Sequence, residues 1–185
     1  MNDAVYIIRH AEKPEGAVQG VDLSGGADAE SLTVRGWQRA GALASFFGSP
    51  AGLPAPNRIY ASGPAKVHTA QGKVGSKSLR PYCTVSVLAA KLNPSLAPIE
   101  KFTKGQESAL AAEVAKLTGI TLICWQHEDI PTIAQALSGR RTGLPATWPG
   151  NRFDVVWRFV RDGDAWNFDQ VCQRLLPGDG TEKIE

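Results

Sequence analysis

Two histidines in this sequence follow short apolar runs, and their position suggests phosphate chemistry. His10 comes after one β-branched run and His127 after another. Such runs are typical of buried strands, and ligands in open α/β sheets bind beyond the carboxyl ends of the strands. Histidine is a nitrogen nucleophile near neutral pH, and arginine binds phosphoryl oxygens through forked donors. Together with Arg9 and Arg80, the two histidines supply the groups that phosphoryl transfer through an enzyme intermediate requires.

Strands alternate with helices along the chain. The predicted strands are 5–9, 58–61, 98–102 and 120–125, and the hairpin 153–161 and 165–175 turns at Asp162-Gly163-Asp164. The predicted helices begin after the N-cap Thr33 and end before Gly48, span 79–92 and 106–117, and start again at Pro131. This order predicts a single α/β domain over 1–185, a three-layer sandwich. We expect a mostly parallel sheet with helices on both faces and an antiparallel edge hairpin.

The charge of the chain is unevenly distributed. No Asp or Glu occurs from Ser31 to Ile99, whereas eight Lys and Arg do, although the net charge is only +2. This asymmetry favours an anionic ligand, and the alternative is a solvated basic face. The segment has no aromatic-interleaved basic patch, so we expect no nucleic-acid partner.

Composition restricts the remaining classes. The three cysteines, Cys83, Cys124 and Cys172, are widely spaced, which favours reduced thiols over a disulfide framework or a zinc site. The sequence contains no apolar run of membrane-spanning length and no recognisable export signal, so we expect no membrane partner and a cytoplasmic location.

Four sequence elements, taken in order, resemble the histidine phosphatase superfamily, also called the phosphoglycerate mutase-like or histidine acid phosphatase clan. The first is Ile8-Arg9-His10-Ala11-Glu12, and the second is the helix start Leu32-Thr33-Val34-Arg35-Gly36. The third is Ser62 with Arg80-Pro81-Tyr82-Cys83-Thr84, and the fourth is Ile123-Cys124-Trp125-Gln126-His127. The resemblance spans nearly the whole chain and implies a phosphoglycerate mutase-like fold.

The resemblance also implies roles for individual residues. His10 is expected to attack phosphorus, while Arg9, Arg80 and His127 bind the phosphoryl oxygens. Proton donation to the leaving group is assigned to Glu128, with Glu107 and Asp129 as open alternatives. Ser62, Glu107 and Lys77 are candidate substrate-binding residues.

The chain departs from the family pattern between Ser62 and Arg80. The loop there is longer than usual, and Cys83 occupies the position where Gln is common. This basic loop could fold over a polyanionic substrate, or it could be a solvated, flexible segment. Its candidate ligand-facing residues are Lys66, His68, Lys73 and Lys77.

The sequence therefore predicts a phosphomonoesterase that works through a phosphohistidine on His10, without a metal or cofactor. One alternative is a phosphotransferase or mutase with the same chemistry. Another is a phosphate- or phosphoprotein-binding module that does not catalyse a reaction. The substrate is expected to be a small phosphate ester or a phosphoprotein, and the sequence leaves its identity and the oligomeric state open.

Overall fold

A computed structural model describes residues 3–64, 68–69, 72–73, 77–93, 96–139 and 143–185. The strands are β1 Ala4–Arg9, β2 Arg58–Ala61, β3 His68–Thr69, β4 Gly72–Lys73, β5 Ile120–Trp125, β6 Val155–Asp162 and β7 Ala165–Cys172. The helices are α1 Val34–Phe46, α2 Arg80–Leu92, α3 Glu107–Val114 and α4 Ile130–Ser138. No helix within these ranges is long and apolar enough to cross a bilayer.

The main sheet has the strand order β2-β5-β1-β6-β7. Strands β2, β5 and β1 are parallel, whereas β6 and β7 form an antiparallel hairpin at the β1 side. In the β1–β5 register Ile8 is opposite Cys124 and Arg9 is opposite Trp125. The carboxyl ends of β1 and β5 therefore coincide, and they bring His10 and His127 to the same edge of the sheet.

Alternate residues of β1 face the two sides of the sheet. Tyr6 and Ile8 pack into one apolar cluster with α1 and α2, while Val5 and Ile7 pack into another with α3 and α4. All six residues of β1 are buried, as expected for a strand covered on both faces. The predicted three-layer α/β sandwich with an antiparallel edge hairpin is confirmed.

Local capping chemistry agrees with the predicted starts of two helices. Thr33 Oγ1 accepts a hydrogen bond of 3.1 Å from the Gly36 N–H, so Thr33 is the N-cap of α1. Pro131 lies in the first turn of α4, where its missing N–H leaves no helical bond unmade.

The prediction of a third strand over 98–102 is wrong. This segment runs beside β2, but it makes only isolated bridges, between Ile99 and Tyr60 and between Thr103 and Gly63. Pro98 has no N–H to donate to a ladder, which restricts regular pairing at the start of the segment. The short hairpin of β3 and β4, within the basic loop, was not predicted.

Candidate active site

The main chain around His10 is fixed to two neighbouring elements. The His10 N–H donates a 3.0 Å hydrogen bond to the carbonyl of Trp125, at the end of β5. The next N–H, of Ala11, donates to Thr84 Oγ1 over 2.8 Å, and that hydroxyl donates to the Arg80 carbonyl over 2.7 Å. The loop that carries His10 is thus tied both to the strand that precedes His127 and to the first turn of α2.

The His10 ring is buried, and one of its nitrogens is engaged by the main chain while the other is not. Its Nδ1 lies 2.8 Å from the carbonyl oxygen of Ala11. Because a carbonyl can only accept, Nδ1 carries the proton of the neutral ring and Nε2 carries the lone pair. Burial, assisted by the charges of Arg9, Arg80 and His127, lowers the pKa of His10 to about 3, and the bond to Ala11 opposes this. The ring is therefore neutral at physiological pH, as a nitrogen nucleophile must be.

His10 opens onto a cavity of about 230 Å³ at the carboxyl ends of the strands. Four of the predicted site residues line it together: His10, Arg80, His127 and Glu128. The other described residues that line the cavity are Lys13, Ser78, Lys104 and Gln126. The cavity thus combines two imidazoles with three cationic side chains, which is an arrangement suited to a small, multiply charged anion.

Main-chain carbonyls hold the guanidinium of Arg80 at the cavity. Nε donates to the carbonyl of Ser31 over 3.3 Å, and Nη2 donates to that of Ala29 over 2.8 Å. Nη1 donates to Ser78 Oγ over 3.1 Å. These bonds fix the plane of the guanidinium before any ligand arrives.

Arg9 lies behind the cavity and does not line it. Its Nη1 donates to the carbonyl of Gly150 over 2.5 Å, and its guanidinium carbon lies 3.8 Å from the centre of the Phe153 ring. Its Nε and Nη2 are buried and have no hydrogen-bond partner among the residues that the structure describes. Burial lowers the pKa of Arg9 to about 10, yet the side chain remains cationic at neutral pH and its charge lowers the pKa of both His10 and His127.

His127 and Glu128 lie side by side in the lining of the cavity. Nδ1 of His127 lies 3.1 Å from Oε2 of Glu128, which is close enough for an ion pair, but the two atoms do not have the geometry of a hydrogen bond. Burial and the charge of Arg9 lower the pKa of His127. Burial alone would raise the pKa of Glu128, but its own N–H and the charges of His127 and Lys104 lower it. Glu128 is therefore a carboxylate, not a carboxylic acid, at neutral pH.

Two solved structures are similar to this chain in fold. The protein histidine phosphatase SixA in complex with tungstate matches with a TM-score of 0.59 over 92% of this chain and 97% of that chain, at 17% sequence identity. The chain has the same fold as that structure. A candidate phosphohistidine phosphatase SixA from Agrobacterium tumefaciens matches with a TM-score of 0.56 over 93% and 98% of the two chains, at 15% identity. No protein-family model and no curated protein sequence matches the chain.

The other two residues predicted as candidate proton donors, Glu107 and Asp129, do not line the cavity. Glu107, in the first turn of α3, is buried, and its Oε1 accepts hydrogen bonds from Trp125 Nε1 over 3.0 Å and from the Gly105 N–H over 2.9 Å. Asp129 Oδ2 lies 3.2 Å from Lys104 Nζ, and burial raises the pKa of Asp129. Glu107 supports Trp125, and Asp129 holds Lys104, which does line the cavity.

Ser62 and Lys77 lie outside the lining of the cavity. Ser62 is buried, and its Oγ accepts a 3.0 Å hydrogen bond from Gln126 Nε2, so it supports a cavity residue from below. Lys77 is exposed. Of the rest of the basic loop, Lys66 lies outside the described residues, and His68 and Lys73 are described only as strand backbone.

Four residues of the cavity were not predicted from the sequence: Lys13, Ser78, Lys104 and Gln126. Two of them had a usable signal, because Gln126 directly precedes His127 and Lys13 follows His10 by three residues. Lys104 lies in the loop before α3, and no motif marks it. Within the described ranges, no three His, Cys, Asp or Glu side chains are grouped so that they could hold a metal ion.

Proposed function

We propose that the chain is a phosphohistidine phosphatase, which hydrolyses the P–N bond of a phosphorylated histidine in a protein by way of a phosphohistidine on His10. The observation that carries this proposal is the chemistry of the cavity wall. It offers a neutral nucleophile and three cationic side chains, whereas its carboxyl group, that of Glu128, is held ionised. The shared fold with SixA supports the same class, as does tungstate in one of those structures, because tungstate is a tetrahedral oxyanion like phosphate.

In the first step, Nε2 of His10 forms a bond to phosphorus as the bond from phosphorus to the substrate imidazole breaks. The leaving imidazole has a second nitrogen, which can take a proton from solvent beforehand, so it departs as a neutral ring. Water then attacks phosphorus and releases inorganic phosphate. The proton that this water loses passes to the phosphate or to solvent, and His10 returns to its neutral form with the proton on Nδ1.

Charge stabilisation is assigned to side chains that the fold already holds in place. Arg80 is fixed on the carbonyls of Ser31 and Ala29, and Lys104 is held by Asp129. In active sites that exclude water, one well-placed donor to a developing negative charge contributes about 10²–10³-fold to the rate. Arg9 contributes its positive charge from behind the cavity, and its buried Nε and Nη2, which have no hydrogen-bond partner among the described residues, are available to donate to an oxygen of the phosphoryl group that reaches them.

The ionised Glu128 favours P–N substrates over alkyl esters. An alkoxide is a poor leaving group and needs a proton donor, whose contribution is typically about 10²–10⁴-fold. An imidazole that is already protonated on its second nitrogen needs none. The phosphomonoesterase predicted from the sequence is therefore refined here to a phosphatase of phosphorylated histidine.

The test compares three substrates in the presence of a chelator: phosphoramidate, a phosphohistidine peptide and the same peptide with phosphoserine. We expect both P–N compounds to be hydrolysed and the phosphoserine peptide to be slower by at least about 10²-fold. His10→Ala is expected to lose activity on both P–N compounds while keeping the wild-type circular dichroism spectrum and thermal midpoint. Tungstate is expected to compete with the substrates.

Three outcomes would count against the proposal. Equal rates on the phosphoserine peptide would restore the phosphomonoesterase hypothesis, and transfer of phosphate to an added alcohol in preference to water would favour the transferase. Undiminished activity of His10→Ala would remove His10 as the nucleophile. Independence from metals, the single domain over 1–185 and the cytoplasmic location stay predictions.

A further inference from the structure

A second concavity, of about 640 Å³, lies beside the candidate active site. Its apolar wall is formed by Leu23, Trp37, Leu79 and Tyr82. It is far larger than a phosphoryl group requires, and the chemistry proposed above does not use it. We call this concavity the apolar groove.

The groove gathers apolar side chains that are exposed to water. Leu23 is 86% exposed, Leu79 40% and Tyr82 36%. They are three of the six large apolar side chains that are exposed within the described part of the chain, and Val18, Val34 and Val87 lie outside the groove. Isolated exposed apolar residues are ordinary, but a contiguous group of them marks an interaction site.

The groove and the catalytic cavity share one wall. Ser78 and Arg80 line the cavity, and Leu79, between them in the chain, lines the groove. Ser31 also lines the groove, and its carbonyl accepts the hydrogen bond from Arg80 Nε. A polypeptide seated in the groove would therefore pass directly beside the guanidinium that faces the phosphoryl group.

The groove has the opposite charge to the cavity. Asp22, Asp28 and Glu100 line it, and no described basic residue does. Hydrogen bonds from the hydroxyl and N–H of Ser24 and from the N–H of Gly26 lower the pKa of Asp22, which is thus ionised. Burial raises the pKa of Glu100, and a basic side chain placed next to it would reverse that shift. The cavity selects an anion, whereas the neighbouring groove selects apolar and cationic groups.

We propose that the apolar groove binds the polypeptide segment that flanks the phosphorylated histidine of the substrate protein, and that this segment carries apolar side chains together with Lys or Arg. The inference rests on the proposed function and extends it, because it states what the enzyme recognises beyond the phosphoryl group. The opposite charges of the two sites indicate this occupant. The phosphoryl group enters the cationic cavity, while the flanking basic and apolar residues enter the acidic, apolar groove.

Binding is tested first, without catalysis, on three unphosphorylated peptides of equal length with a central histidine. Their flanking residues are Leu and Lys, Leu and Glu, or Ser and Lys. Titration calorimetry is expected to show the Leu and Lys peptide binding about tenfold more tightly than the Ser and Lys peptide, as burial of one or two apolar side chains predicts. It is also expected to bind more tightly than the Leu and Glu peptide, because Glu would meet the like charges of the carboxylates in the groove. The double substitution Leu23→Ser with Tyr82→Ala should remove this preference. The matched control, Val18→Ser with Val87→Ala, changes two other exposed apolar residues, which lie outside the groove, and should keep the preference.

The same variants are then assayed on the phosphorylated peptides and on phosphoramidate. The ratio of kcat/KM for the Leu and Lys peptide to kcat/KM for phosphoramidate is expected to fall about tenfold in the groove variant, by the same burial argument, and to hold in the control. Equal affinity of the three peptides for the wild-type chain would overturn the docking proposal. A fall of the kcat/KM ratio in the control variant as large as that in the groove variant would do the same. So would self-association of the wild-type chain that the groove variant abolishes, because the occupant would then be a second copy.

The two proposals fail in different ways. If phosphoramidate and the peptides are hydrolysed without regard to flanking residues, the groove assignment falls and the phosphatase stands. If no substrate is hydrolysed but the Leu and Lys peptide still binds through the groove, the docking surface stands and the proposed phosphatase falls.

Discussion

Gly36, in the first turn of α1, lies directly against the main chain of Glu12. A Cβ atom on Gly36 would be 2.6 Å from the Glu12 carbonyl oxygen and 3.2 Å from the Glu12 nitrogen. The Glu12 carbonyl also accepts a hydrogen bond of 3.0 Å from the Thr33 N–H. The helix start and the loop that carries His10 are therefore packed backbone to backbone, so the position of the nucleophile depends on a missing side chain.

This contact predicts that Gly36→Ala displaces the nucleophile loop. We expect the free energy of unfolding to fall by about 1–3 kcal/mol, the usual cost of forcing an extra carbon into a packed site, and kcat to fall with it. Gly41→Ala, in the same helix, is the control, because a Cβ there would have nothing within 4 Å. Gly41→Ala should raise the free energy of unfolding by about 0.5–1 kcal/mol, because alanine has a higher helix propensity than glycine. Urea unfolding and phosphate release measure both, and equal effects of the two variants would contradict the prediction.

A second prediction concerns Arg39, a buried cation that joins distant parts of the chain. Its Nη2 lies 2.8 Å from Glu12 Oε1 and 2.7 Å from Asp179 Oδ1. Arg39→Ala would leave two carboxylates without their buried cationic partner, which typically lowers the free energy of unfolding by about 3–5 kcal/mol. The control is Arg35→Ala, which removes a 45% exposed partner of the same two carboxylates and should cost less than about 1 kcal/mol. Urea midpoints that move equally in both variants would show that burial of the ion pair is unimportant.

A third prediction is a pH dependence of stability that originates from His10. Its pKa is about 3 in the folded chain, below the ordinary value of 6.5. Above pH 6.5 neither the folded nor the unfolded state binds this proton, so the stabilisation is fully present. As the pH falls from 6.5 towards 3, the unfolded state takes up the proton and the folded state does not, so stability is lost.

The measurement is a series of urea midpoints between neutral pH and about pH 4.5, where the expected loss has developed. Wild type should lose more stability over this range than His10→Gln, in which the titrating group is gone. The carboxylates common to both proteins, including Asp179 with its pKa lowered to about 2, cancel in the difference. Parallel curves for the two proteins would contradict the low pKa of His10.

A fourth prediction separates the two glutamates that the sequence offered as proton donors. Glu107 accepts from Trp125 and Gly105 and does not face the cavity, so Glu107→Gln should mainly lower stability, by about 1–3 kcal/mol for a carboxylate hydrogen bond. Its kcat on the phosphoserine peptide, whose alkoxide leaving group needs a proton donor, should stay within about tenfold of that of wild type, short of the 10²–10⁴-fold cost of a lost proton donor. Changed tryptophan fluorescence would report the altered Trp125 contact, and Glu128→Gln is the comparison at the cavity. Loss of turnover in Glu107→Gln alone would reinstate it as the acid.

The sequence predicted those features that depend on one strand and the residue after it. His10 and His127 could be placed together because parallel strands of an α/β sheet end at one edge. The orientation of Glu107 could not be predicted, since a carboxylate at a helix start can face either a cavity or, as here, the indole of Trp125. The pairing of Arg39 with Asp179 was equally hidden, because the two residues are 140 positions apart and nothing local marks either one.

The hydrogen bond between His10 Nδ1 and the Ala11 carbonyl has a consequence for the isomer of the enzyme intermediate. With Nδ1 occupied, the phosphoryl group can join the ring only at the nitrogen remote from the main chain. In the proposed reaction, the trapped enzyme would therefore carry τ-phosphohistidine and no π-phosphohistidine. Antibodies that distinguish these isomers should recognise the acid-labile phosphoenzyme with one specificity only, whichever isomer the substrate protein carries.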